Sequence, residues 1–133
     1  MKRLNSILFL LFVFSCEDKE ELTPFEGDIS LNIYEIKYFS EQVEIEFLDV
    51  VEDLRCPQDH ICGRAGNGRV LLRLNQKGQS KGINFILNTI ADPETILLLN
   101  YKIRLKELNP YPQKLNSVRK SDYSMVLNVE QID

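Results

Sequence analysis

Two cysteines and the one histidine lie close together in the chain, at Cys56, His60 and Cys62. Both residue types bind metals, and two cysteines can also form a disulfide. A structural zinc site needs four ligands, and the chain contains no other histidine and one further cysteine, Cys16. A redox-active pair usually has two residues between its cysteines, whereas five separate Cys56 from Cys62. The spacing therefore favours a Cys56–Cys62 disulfide in an exported protein, with no metal and no cofactor. A metal site and reduced or catalytic thiols are the alternatives left open.

His60 is the one histidine of the chain, and histidine is the commonest general base in enzymes. Such a base needs a nucleophile and an orienting carboxylate, and the chain contains no recognisable nucleophile elbow, phosphate-binding glycine loop or paired-carboxylate motif. An enzyme would have to assemble its site from dispersed residues such as Asp53, His60 and Asp122. We therefore expect a non-catalytic protein, with an envelope hydrolase as the alternative.

The residues around the two cysteines also suggest a binding surface. Asp53 and Arg55 bracket the start of the cysteine segment, where they could form an ion pair or cap exposed backbone groups. Tyr111, which lies between two prolines, and Arg64 are of the types that supply much of the energy at protein interfaces. Together with His60, these four residues are the candidates for a binding surface.

The first residues have the order of a secretory signal peptide, because a short basic start precedes an apolar run over residues 7–14. This run is shorter than the roughly 20 apolar residues that span a bilayer. The sequence Val13-Phe14-Ser15-Cys16 resembles a bacterial lipobox, which predicts that residues 1–15 are removed and that Cys16 is acylated. Several acyl chains on Cys16 would hold the mature protein stably at the membrane.

Residues 16–25 form a mainly acidic segment with too little apolar surface to fold. We expect a solvated tether between the lipid and the folded domain. It is either a generic spacer or an acidic export signal of the kind that some Bacteroidetes lipoproteins carry. The expected location is the outer membrane, on its periplasmic or its surface face.

Net charge limits the classes of partner. The chain has a formal charge of −4, and removing the signal peptide makes it more acidic because both charges lost are basic. Nucleic-acid recognition depends on clustered lysine and arginine, and no basic patch stands out in this sequence. The expected partners are the membrane, through the lipid, and an envelope protein or a glycan, but not nucleic acid.

Alternating apolar and polar residues predict β-strands throughout the remainder of the chain. The clearest alternation covers residues 42–47, and its phase changes at Phe47-Leu48 as an inserted bulge residue would cause. We expect one strand from Ser30 to Phe39, a hairpin of residues 70–75 with 83–88, and a final strand over 123–129. Residues 94–106 predict either two short strands or one bent strand.

No stretch sustains helical periodicity, so the predicted fold is all-β. Residues 26–133 are expected to form a single domain, a small β-sandwich or open barrel of about six to eight strands.

The chain resembles a group of small exported bacterial lipoproteins. The resemblance rests on Arg55-Cys56-Pro57 with Cys62 five residues later, on Ala65-Gly66-Asn67, on Leu108-Asn109-Pro110-Tyr111-Pro112, and on Asp122-Tyr123 before the final strand. This sequence departs from the pattern at Leu54, where a serine is more usual, and at Gly63-Arg64, where a hydrophobic and an aromatic residue are more usual. The resemblance implies the fold and the envelope location, and no activity.

The sequence as a whole predicts a lipid-anchored β-sandwich that acts as a non-catalytic binding or structural module of the cell envelope. Besides the hydrolase, a second alternative is a small protease inhibitor that presents the Cys56–Cys62 loop. The inhibitor hypothesis requires this loop to project rigidly and to be exposed.

Overall fold

The computed structural model describes residues 26–90 and 94–132, where nearly every regular element is a β-strand. The strands are β1 (Glu26–Asn32), β2 (Ile36–Tyr38), β3 (Val43–Asp53), β4 (Gly68–Gln76), β5 (Ile83–Asn88), β6 (Thr95–Leu98), β7 (Tyr101–Asn109) and β8 (Ser124–Gln131). A 3₁₀ turn, Lys120–Asp122, precedes β8. The predicted signal peptide, Cys16 and the tether lie outside the described residues.

The strands form two four-stranded antiparallel sheets, with the strand orders β1-β8-β7-β6 and β2-β3-β4-β5. Alternate residues of each sheet point inward and form one apolar core. The predicted β-sandwich is therefore confirmed. The side chains with no more than 1% of their area exposed are Leu31, Ile45, Phe47, Val70, Leu72, Leu74, Leu87, Ile103, Met125, Leu127 and Val129.

The outer faces of both sheets carry cross-strand pairs of opposite charge. On the first sheet, Lys102 lies 3.4 Å from Glu130, and on the second, Arg73 lies 3.5 Å from Glu46. Exposed pairs of this kind add little to the free energy of unfolding. The same outer faces also expose apolar side chains, among them Leu97 opposite Lys102 and Ile36 opposite Glu46.

The single strand predicted from Ser30 to Phe39 is wrong. The chain leaves the first sheet after Asn32, turns at Tyr34, whose φ is 69°, and enters the second sheet at Ile36. The Glu35 carboxylate accepts a hydrogen bond from the Asn32 backbone amide at 2.7 Å, which stabilises the turn. The pattern did not reveal this break, because apolar residues on both faces also fit one strand that is covered on both sides.

Two other strand predictions are confirmed. The register of β3 against β4 shifts between Phe47 and Asp49, where the change of phase predicted a bulge. Residues 95–109 form two strands, β6 and β7, joined at Leu99 and Asn100, which both have positive φ. Two consecutive residues with positive φ give the tight turn that suits a hairpin.

Strand β1 spans the length of the first sheet and thereby defines two ends of the sandwich. Its first residue, Glu26, pairs with Glu130, and its last, Asn32, pairs with Ser124, which also pairs with Asn109 at the end of β7. The connections 54–67 and 110–123 lie at this second end. We call them the loop end.

Candidate functional site

A buried ion pair lies where β3 enters the loop end. Arg55 donates hydrogen bonds from Nε and Nη2 to the two carboxylate oxygens of Asp53, each at 2.7 Å. Only 6% of the Arg55 side chain and 9% of the Asp53 side chain are exposed. The two parallel bonds fix the plane of the guanidinium as well as its position.

Arg55 also binds the connection that follows β7 in the other sheet. Its Nη1 donates to the carbonyl oxygen of Leu108, and its Nη2 donates to that of Pro110 at 2.9 Å. The ring of Tyr111 lies over the guanidinium, with 5.1 Å between the ring centroid and Cζ. One side chain therefore joins the connection after β3 to the connection after β7.

Tyr123 completes this set of contacts, because its hydroxyl donates to Oδ2 of Asp53 at 2.8 Å. Burial opposes ionisation of Asp53, but the hydrogen bonds from Arg55 and Tyr123 outweigh it and hold the pKa of Asp53 below its ordinary 3.8. Burial and the Asp53 carboxylate raise the pKa of Tyr123. We call Asp53, Arg55, Tyr111 and Tyr123 the Arg55 cluster.

Directly after Arg55 comes the disulfide loop, residues 56–62, closed by the bond between Cys56 and Cys62. The backbone amides of Gln58 and Asp59 donate to the carbonyls of Pro112 and Gln113 at 3.1 and 3.2 Å. These bonds fasten the loop to the connection 110–123.

The chain after the disulfide loop lies against the chain before it. The backbone amide of Leu54 donates to the carbonyl of Asn67 at 2.8 Å. A β-carbon at Gly66 would lie only 1.4 Å from the carbonyl oxygen of Leu54, so this close approach requires glycine. The Asn67 side-chain oxygen accepts from the backbone amide of Thr89 at 3.0 Å, which ties the loop end to β5.

The tip of the disulfide loop projects into solvent. Residues 58–65 are all exposed, and the side chain of Ile61 is as accessible as in an extended chain. Other large apolar side chains exposed at this end are Leu54, Ile90, Tyr111 and Leu115. A groove of about 340 Å³ runs beside the loop, with Arg55, Cys56, Ile90 and Tyr111 in its wall. The base of the disulfide loop is thus fastened, and its tip exposes an apolar side chain.

No family model, curated protein or solved structure matches this chain. We therefore infer a function from the geometry of the loop end.

The structure brings together three of the five residues predicted for a binding surface. Asp53 and Arg55 form the expected ion pair and are buried, so they support the loop end from beneath, and Tyr111 covers Arg55 while remaining 45% exposed. His60 and Arg64 lie separately on the exposed part of the connection 54–67.

The three groups named for a hydrolase have different partners. Asp53 binds Arg55 and Tyr123, the His60 ring lies 2.7 Å from the Asp59 carboxylate, and Asp122 binds Arg119. A cleft of about 240 Å³ is lined by Asp53, Lys120 and Tyr123 but by neither His60 nor Asp122. The hydrolase hypothesis thus gains no common site from these residues.

No three histidine, cysteine, aspartate or glutamate side chains in residues 26–90 and 94–132 are grouped so that they could hold a metal ion. Over the same residues, no helix combines the length and the apolar character needed to cross a bilayer.

Sequence reasoning missed the role of Tyr123 and of the carbonyls of Leu108 and Pro110. The motifs that contain them were noticed, but partners 53 to 70 residues away in the chain leave no periodic signal. The hydrogen bond that the Asn67 side chain accepts from the Thr89 backbone amide was also not predicted. A buried arginine needs several hydrogen-bond acceptors, so the burial of Arg55 is the property that would have pointed to these partners.

Proposed function

We propose that the protein is a lipid-anchored binding module of the bacterial cell envelope, which recognises a protein partner through the disulfide loop. The observation that carries this proposal is a fully exposed Ile61 on a loop whose base is fixed by a disulfide and by the buried pair of Asp53 and Arg55. A lone apolar side chain on a surface is ordinary. One placed at the tip of a fastened loop is suited to enter a pocket on a partner.

Rigidity at the base of the loop favours binding. Association costs free energy for every loop and side chain that must be ordered, so a loop already held in place loses less conformational entropy. The two backbone bonds from Gln58 and Asp59 and the contacts of Arg55 supply this order before any partner arrives. Tyr111 and Leu115 are two further apolar side chains exposed at the loop end.

The direction of β1 fits a membrane anchor. The chain enters the sandwich at Glu26, next to Glu130, and the loop end lies at the other end of β1, next to Ser124. A tether attached before Glu26 would therefore leave the disulfide loop pointing away from the membrane. This orientation makes the loop accessible to a partner that is not embedded in the same membrane.

The charges at the loop end specify the partner further. Arg64 and Lys114 are exposed cations at this end, whereas Arg119 pairs with Asp122 and Lys120 pairs with Asp49. The disulfide loop itself contains one acid, Asp59. We therefore expect the partner to offer an apolar pocket for Ile61 and an acidic group that faces Arg64 or Lys114, because complementary potentials steer association.

The test begins with the soluble domain starting at Thr23, immobilised and exposed to envelope extract of the source bacterium. We expect one protein to be captured by the parent domain and lost with Ile61→Asp. Leu97→Asp is the matched control, since Leu97 is an exposed leucine on β6, outside the loop end, and should leave capture unchanged. Equal capture by the parent and by Ile61→Asp would overturn the proposal.

The anchor needs a separate experiment. Metabolic labelling with a palmitate analogue should mark the full chain and should fail to mark Cys16→Ala. Labelling that persists in Cys16→Ala would show that the membrane attachment does not use this cysteine.

The inhibitor hypothesis depends on the same exposed loop and differs in the nature of the partner. The loop contains a turn, in which the His60 amide donates to the Pro57 carbonyl at 3.1 Å. If the captured partner is a protease, the domain should inhibit it at stoichiometric concentration and Ile61→Asp should not. Absence of inhibition would leave recognition alone as the function.

A further inference from the structure

A further concave site lies at the end of the sandwich opposite the loop end. It is a cleft of about 530 Å³ between the turn that joins β2 to β3 and the turn that joins β4 to β5. The residues that decide its chemistry are Tyr38, Gln42, Glu44, Asn75, Gln76 and Gln79. We call it the Tyr38 cleft, and its volume falls in the range of sites for small ligands.

Tyr38 forms an aromatic wall of this cleft. Its side chain is 72% exposed, whereas aromatic side chains commonly bury a large area in a protein core. Tyr38 pairs with Glu44 across the two strands, and the Glu44 carboxylate next to the phenol raises the pKa of Tyr38. The ring is thus left exposed at the edge of the cleft, where a ligand could contact it.

Side-chain amides make up half of the polar residues that line the cleft with this ring. Each glutamine or asparagine amide offers a carbonyl acceptor and two N–H donors in one plane. Asn75 is already oriented, because its Nδ2 donates to Oε1 of Glu44 at 3.0 Å. The two turns are joined by a hydrogen bond from the Lys77 amide to the Gln42 carbonyl at 2.8 Å, so the spacing of the two walls is set by the backbone.

The charges of the cleft argue against a phosphate or sulfate ligand. Glu41 and Glu44 line it together with one cation, Lys77. An anion would meet two carboxylates here, whereas a neutral molecule rich in hydroxyl groups would find both donors and acceptors.

We propose that the Tyr38 cleft binds a neutral carbohydrate. A pyranose ring has an apolar face of C–H groups that can stack on tyrosine and a rim of hydroxyls that can pair with planar amides and carboxylates. The cleft provides both kinds of surface, and it is far from the loop end along β3, whose Val43 pairs with Gln76 and whose Asp53 pairs with Gly68. This inference does not depend on the protein partner proposed above.

The test is an NMR titration of the ¹⁵N-labelled domain, with four neutral oligosaccharides as separate probes: cellotetraose, chitotetraose, maltotetraose and xylotetraose. We expect at least one to shift the amide signals of residues 38–44 and 75–82. Tyr38→Ala should weaken that binding about tenfold, while Tyr38→Phe, which keeps the ring, should retain it.

Tyr34→Asn is the matched control, because it removes another exposed tyrosine, lies outside the cleft lining, and places asparagine where φ is positive. It should bind the same probe as the parent does. Absence of a shift with all four probes, or equal affinity of Tyr38→Ala and the parent, would overturn the carbohydrate assignment. Either result would leave the Ile61 experiment unaffected.

Discussion

Nη2 of Arg55 lies 2.7 Å from Oδ2 of Asp53 in a pair whose side chains are almost completely removed from solvent. The guanidinium also binds the carbonyl oxygen of Leu108 near the end of β7 and that of Pro110 on the connection after it. A buried pair of this kind is costly to break, since removal of one partner leaves an uncompensated charge. The pair therefore makes the position of the disulfide loop depend on both sheets.

Arg55→Met should lower the free energy of unfolding by about 3–5 kcal/mol, because Asp53 would remain buried with Tyr123 as its remaining side-chain donor. Arg55→Lys should recover only part of this loss, since an ammonium cannot reproduce the planar fork. Urea unfolding followed by circular dichroism measures both. Lys102→Met, which breaks an exposed pair with Glu130, is the control and should have little effect. An equal effect of Arg55→Met and Lys102→Met would contradict the buried-pair interpretation.

The stability of the domain should fall in acid because of Asp53. Its pKa is lower in the folded than in the unfolded chain, where the ordinary value is 3.8. The stabilisation from Asp53 is therefore complete above the unfolded pKa and is lost as the pH falls through the folded one. Urea midpoints measured from pH 6 to pH 2 should show this loss. The Asp53→Asn variant should be less stable than the parent at pH 6, and its urea midpoint should change less with pH. An equally steep fall of the midpoint in Asp53→Asn would assign the effect to other carboxylates.

Replacement of both Cys56 and Cys62 by serine should cost about 2 kcal/mol, the chain-entropy value for so short a loop. The amides of Gln58 and Asp59 should then exchange with deuterium faster, since the loop would leave the carbonyls of Pro112 and Gln113 more often. Hydrogen exchange by NMR reports each amide separately. Unchanged protection of both amides would show that the disulfide does not hold the loop in place.

Gly66→Ala should destabilise the domain by at least about 2 kcal/mol, because the new methyl group would overlap the Leu54 carbonyl. Gly63→Ala is the matched control in the same connection. A β-carbon there meets no atom within 4 Å, so the change should be within about 0.5 kcal/mol. Thermal unfolding of the two variants compares them directly, and similar melting temperatures would contradict the close approach at Gly66.

The sequence predicted the strands best where one face of the strand is buried and the other is exposed to solvent. The alternation at Val43, Ile45 and Phe47 identified β3 and its bulge, and the two cysteines identified the disulfide. The prediction was wrong at Ser30–Phe39, where the chain changes sheets at Tyr34. Apolar residues on both faces conceal such a change, because local periodicity does not report which sheet a residue joins.

What the sequence by itself determined is the β-rich character of the domain, the pairing of Cys56 with Cys62 and the acidic charge, because each follows from residue types and short spacings. Only the tertiary structure decided that Arg55 is buried and that Tyr123 reaches Asp53 across 70 positions of the chain. It also decided that Ile61 lies at the end of the sandwich away from Glu26. These relationships arise because two sheets stack on each other. Contacts between distant segments of the chain leave no periodic pattern in the sequence, so the sequence does not predict them.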